Sequence, residues 1–160
     1  MALYSELILK SDHDPLRLDK HVIDSISARF TCPVAWKALF SSEQIDLKNF
    51  IILSPTIKAL QTLEERSPVL GLAFGQAWAV EINEFVECLS SSKYLVLNLR
   101  EWYGESSEFE RHMQSEFEIF SEPFYSGGKH FFSRKPKTNS KWRDYLATYK
   151  NHPVFGEFDQ

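Results

Sequence analysis

Two apolar runs, Phe50-Ile51-Ile52-Leu53 and Tyr94-Leu95-Val96-Leu97-Asn98-Leu99, bracket about forty residues whose apolar positions recur at helical spacing. Continuous apolar runs this short match strands buried on both faces. A chain that must cover two such strands on both sides folds as packed layers, with helices against a sheet. Between the runs, Ser54-Pro55 and Ser67-Pro68 repeat one device, a hydroxyl followed by a proline, and predict helices over about 55–66 and 69–90.

The flanking segments extend the pattern. Residues 2–9 read as a strand that Asp12-His13-Asp14-Pro15 stops. Asp14 before Pro15 predicts a helix over about 15–30, with Leu16, Val22, Ile23, Ile26 and Phe30 on its inner face. Cys32-Pro33 breaks it, and a short helix with Trp36 and Phe40 follows over 33–40. Ser107-x-x-Glu110 is a capping box for a helix to about 120, whose apolar face is Phe109, Met113, Phe117 and Phe120. After the loop signals Pro123 and Gly127-Gly128, His130-Phe131-Phe132-Ser133 reads as a fourth strand. A last helix over 139–149 turns Trp142, Tyr145, Leu146 and Tyr149 inward.

This order predicts an α/β fold. The expectation is a single domain over 1–160, with a sheet of about four strands, mixed or parallel, joined by helical crossovers. An α+β arrangement around a small mixed sheet is the alternative. A length of 160 residues, 43% of them apolar and 13 of them Phe, is enough for one core.

Composition also narrows the function classes. No apolar run reaches the roughly 18 residues that span a bilayer, and Met1–Glu6 has no basic start or apolar stretch of a signal peptide. A cytoplasmic protein off the membrane is expected. Cys32 and Cys88 belong to no CxxC or Cys/His spacing, so reduced thiols are expected and no metal site. No P-loop, GxGxxG, HExxH or GxSxG occurs, and no cofactor is implied. The net charge of −4 disfavours nucleic acid as the partner of the whole chain. Charge is nevertheless split, with seven acids against Arg111 from Glu101 to Glu122 and seven bases against Asp144 from Lys129 to Lys150. The simplest account packs these two segments against each other.

Three features carry candidate chemistry. On an unbroken 69–90 helix, Glu81 falls in the apolar stripe between Phe74 and Phe85. A carboxylate there is ion-paired, with an arginine such as Arg100 or Arg29, or kept near water by a long helix, or it is a desolvated acid, base or nucleophile lining a pocket. The strand, inward glutamate and strand over 50–100 resemble the nucleoside deoxyribosyltransferase and TIR-like group. That resemblance implies that Glu81 acts at the sugar carbon of an N-glycosidic bond, although the Asp-Ser-Gly pattern of the transferases is replaced by Gly75-Gln76-Ala77-Trp78. Asp12-His13-Asp14 after the first strand, with Ser54 ending a buried one, resembles haloacid-dehalogenase-type phosphotransferases. The further acidic pair that chemistry needs is absent, since the later strand ends Asn98-Leu99-Arg100.

The second feature is the loop Arg100-Glu101-Trp102-Tyr103-Gly104-Glu105, in which Trp102 and Tyr103 stand among Arg100, Glu101 and Glu105. Aromatics flanked by carboxylates suit a hot spot for a basic protein partner, or else Trp102 and Tyr103 cover the core edge while the acids form a solvated helix face. The third, the basic and aromatic stretch 129–150, suits a weak nucleic-acid site. The expected function is therefore that of a small non-enzymatic protein-binding protein of accessory, inhibitor or immunity type. A nucleotide- or nucleoside-processing enzyme using Glu81 is the alternative, and a weak nucleic-acid binder the second.

Overall fold

The chain's first two strands are neighbours, not ends of a helical crossover. In the computed structural model, which describes residues 3–14, 17–126, 136–149 and 152–156, β1 (Tyr4–Lys10) and β2 (Val22–Arg29) form an antiparallel hairpin. The segment read as a helix over 15–30 is thus largely a strand. Asp14 still makes a capping bond, its Oδ1 accepting the Arg17 N–H at 3.2 Å, but a turn follows instead of a helix. The β-branched residues Val22, Ile23 and Ile26 and the serines 25 and 27 favour extended backbone over helix, and Ile26 and Ala28 are buried in alternation.

A one-turn helix α1 (Val34–Lys37), a 3-10 turn (Ser42–Gln44) and a two-residue strand β3 (Ile45–Asp46) lead into β4 (Ile51–Pro55). Helices α2 (Thr56–Phe74), α3 (Gln76–Ala79) and α4 (Ile82–Leu89) then precede β5 (Tyr94–Asn98). Helix α5 (Ser106–Glu118), a 3-10 turn (Ile119–Ser121) and α6 (Ser140–Thr148) complete the described elements.

The sheet has five strands in the order β2-β1-β5-β4-β3, and each neighbouring pair is antiparallel. This corrects the expected four-stranded mixed or parallel sheet with helical crossovers. The architecture is α+β, an open antiparallel sheet with helices. The reason lies in the excursion between β4 and β5. Pro55, where the chain leaves the sheet, pairs with Tyr94, where it returns, and the Thr56 N–H bonds the Lys93 carbonyl at 2.9 Å. Helices that bring the chain back to the end it left make the next strand run the opposite way.

Gly75 supplies the reversal. Its φ of +56° and ψ of −127° suit glycine, and they end α2 against α3. By contrast α2 runs through Ser67-Pro68, where a stop was expected. Ala59 and Leu63 before the proline and Leu70 after it are all buried, so packing holds the helix across the missing hydrogen bond.

The main core lies between one sheet face and the helices, with Leu7, Leu9, Ile52, Leu95 and Leu97 meeting residues such as Leu63, Phe85, Phe109 and Trp142. On the other face Ile8, Ile51 and Val96 form a smaller cluster under Leu18 and Leu53. Buried Lys10 closes that end of β1 by donating to the carbonyls of Asp14 and Arg17 at 2.8 and 2.7 Å. The strand expected at His130–Ser133 lies outside the described residues. Among those residues no helix is long and apolar enough to cross a membrane.

Candidate functional site

The chain is buried without interruption from Pro33 to Phe40, and Lys37 stands in that stretch. An ammonium group taken out of water costs several kcal/mol unless it finds a counter-charge. It finds Glu116 on α5, whose Oε2 accepts from Lys37 Nζ at 2.7 Å, the two side chains being 4% and 8% exposed. The Tyr149 hydroxyl donates to Glu116 Oε1, and His112, one turn earlier on α5, places Nε2 3.4 Å from the same oxygen. The Lys37 ammonium also sits 4.0 Å over the centre of the Tyr149 ring.

Burial by itself pushes the Glu116 carboxyl up. The His112 contact, the Lys37 charge and the Lys37 and Tyr149 hydrogen bonds outweigh it and hold the group at about 2. Burial foremost, with the Glu116 charge adding to it, pushes the Tyr149 and Tyr103 hydroxyls up. The Tyr103 hydroxyl is hydrogen-bonded to His112 Nδ1, and His112 Nε2 faces the Glu116 carboxylate.

These groups border a cavity of about 270 Å³ between the end of β2, the loop after β5, and helices α5 and α6. Phe30, Cys32, Leu99, Trp102, Met113 and Tyr149 give it a mainly apolar wall. Cys32 is pushed up to about 12 by burial, with the nearby Lys37 charge opposing and Glu116 reinforcing the shift. A thiol held protonated at neutral pH is a poor nucleophile. Both His112 nitrogens are engaged, so the ring has no lone pair to offer a substrate. Lys37, Glu116 and His112 are thus engaged with one another and with Tyr103 and Tyr149 in the cavity wall.

The expected site residues are dispersed. Glu81 is exposed, in the turn between α3 and α4, because the reversal at Gly75 breaks the helix that was to carry it inward. This corrects its expected burial, and neither Arg100 nor Arg29 pairs with it among the described ion pairs. The loop after β5 divides. Trp102 and Tyr103 are half-buried in the cavity wall, whereas Arg100, Glu101 and Glu105 are exposed. Arg100 Nε donates to the Asn49 carbonyl at 2.9 Å, Glu101 accepts the Tyr4 N–H at 2.9 Å, and Glu105 occupies the N-cap position of α5 without a side-chain capping bond. The capping box expected at Ser107 is therefore not the start of this helix.

Asp12 accepts the N–H of His13, and among the described residues no three His, Cys, Asp or Glu side chains gather in a way that would hold a metal ion. Of the basic stretch 129–150, residues 136–149 are described. There Lys141 meets Glu122 at 2.8 Å, one contact of the kind the split charge suggested.

Lys37, Glu116, His112, Cys32 and Tyr149 had no place among the expected site residues. Glu116 had a signal. At 100° per residue it lies within about 20° of Phe109 around α5. No family model matches the chain, and neither the curated proteins nor the solved structures hold a significant match to it.

Proposed function

We propose that this chain is a non-enzymatic binding protein whose site is the apolar cavity over the Lys37–Glu116 pair. One observation carries the reading: the cavity is open and mainly apolar, while the ionisable groups at its base are bonded to one another. Binding sites for small molecules are concave, largely apolar and preformed, with a few fixed polar groups. Catalytic sites instead keep a base, acid or nucleophile free to meet the substrate. Trp102 and Tyr103, expected to face a protein partner, here supply wall area for a small ligand.

A fragment screen by ligand-observed NMR and Trp fluorescence tests the reading. Thr148 lines the cavity and is exposed, so Thr148→Trp fills the space without entering the core. Saturable binding of apolar fragments to the native chain, lost in Thr148→Trp at unchanged thermal stability, is the expected result. Absence of binding, or equal binding to the filled variant, refutes it. The enzyme alternative through Glu81 has lost the buried carboxylate on which it stood.

A further inference from the structure

The mouth of the cavity has a polarity that its wall lacks. Phe30 lines the cavity, is 55% exposed, and takes a φ of +59°. A bulky side chain in the left-handed region is uncommon, and glycine or asparagine would sit there at lower cost. The Phe30 N–H is fixed to the Leu3 carbonyl at 2.7 Å, so the strained backbone ends β2 and holds an aromatic ring at the cavity mouth. On that ring lies the guanidinium of Arg29, 5.0 Å from its centre. Arg29 is exposed, and none of the ion pairs among the described residues uses it. His112 and His152 also line the cavity, with His112 half-exposed and His152 bonded through Nδ1 to the Thr31 hydroxyl at 2.7 Å.

Resting on the proposed binding function, we infer that the ligand is a small amphipathic anion: an apolar body in the cavity with a carboxylate or similar acidic group at Arg29. A cavity of about 270 Å³ lies at the small end of ligand sites and suits a body such as a medium-chain alkyl or a single aromatic ring. Lys37 cannot serve as the anion's partner, because Glu116 already holds it. An exposed guanidinium on an apolar rim gains a counter-ion without the cost of burial, and its planar fork fits a carboxylate.

Octanoate, octanol and octylamine share one tail and differ in head charge, and their binding is measured by titration calorimetry and Trp fluorescence. Octanoate is expected to bind about tenfold tighter than octanol, with octylamine weakest. Arg29→Gln should bring octanoate down to octanol's affinity and leave octanol unchanged. Phe30→Asn, which suits the left-handed backbone and so keeps the fold, should weaken octanoate and octanol alike. Octanol equal to octanoate, or octanoate indifferent to Arg29→Gln, overturns the anion inference while leaving the cavity as a binding site. Failure of all three ligands to bind, or binding that survives Thr148→Trp, overturns the binding function itself.

Discussion

Helix α5 and the segment from Gly75 through α4 each carry a glutamate between aromatic residues, and the two carboxylates end in opposite surroundings. Glu116 is buried on α5, flanked along the helix by Met113, Phe117 and Phe120. Glu81 is exposed, between Trp78 and Phe85, which are themselves buried. Two differences separate them. The backbone of α5 is continuous over 106–118, so every residue on its inner stripe must enter the core, whereas the reversal at Gly75 and the turn at 80–81 let Glu81 rotate out. The partners differ too: Lys37, Tyr149 and His112 converge on Glu116, and among the described residues no such set meets Glu81. A carboxylate enters a protein where the backbone gives it no exit and where donors offset its desolvation.

The sharpest way to break this comparison is to remove one partner of the buried pair. Glu116→Gln leaves the Lys37 ammonium in the core without a counter-charge, and the expected loss of stability is about 3–5 kcal/mol, read from urea denaturation midpoints. The double variant Lys37→Met/Glu116→Leu removes both charges and should recover most of that loss. If the double variant is as unstable as the single one, the pair is worth more than its desolvation and the account of Glu116 is wrong.

Acid sharpens the same contrast without mutation. The Glu116 carboxyl is held at about 2, below its ordinary value of 4.5, so its contribution is fully present above about pH 4.5 and is lost as pH falls toward 2. A shift of that size corresponds to about 3 kcal/mol. Denaturation midpoints of the native chain should fall through this window, and those of the Lys37→Met/Glu116→Leu variant should fall less. Parallel profiles would show that other carboxylates govern acid unfolding.

How far the site could be foreseen follows from the same physics. The strands β4 and β5, the inner face of α5 and that of α6 were legible, because each is a regular pattern buried on the side its period indicates. Strand β2 was not. Val22, Ile23, Ile26 and Phe30 fit a helical stripe as well as a strand, and exposure of Val22, Ile23 and Phe30 at the sheet margin blurs the alternation that would have decided it. A helix at this position excludes the antiparallel hairpin and makes a sheet with helical crossovers the natural expectation. Glu116 satisfied the angular test applied to Glu81, but it stood among the acids of 101–122 and passed as part of a solvated face. Lys37 left no periodic trace. Helix α1 is a single turn, the whole run around it is buried, and its counter-ion is 79 residues away.

Gly75 is the hinge on which the contrast between the two glutamates depends, and its replacement is the next test in size. No atom lies within 4 Å of a Cβ built there, so Gly75→Ala costs backbone strain alone, about 2 kcal/mol at φ +56° and ψ −127°. The loss should appear as a lowered denaturation midpoint with an unchanged slope. A neutral Gly75→Ala would mean that the reversal is softer than its geometry states, and that Glu81 is free to turn inward.

Glu81→Gln is the smallest expected effect and the control for all the others. An exposed side chain in a turn, with no ion pair among the described residues, should leave the denaturation midpoint and its pH dependence where they are, in direct contrast to Glu116→Gln. The same variant bears on chemistry. If the native chain released base from nucleosides and Glu81→Gln did not, an exposed turn carboxylate would be doing the work of a buried one. The cavity over Lys37 and Glu116 would then be a structural hollow beside an active site elsewhere. Equal stability together with unchanged binding of octanoate places Glu81 outside both the fold's energetics and the site, and leaves Glu116 as the glutamate on which this molecule depends.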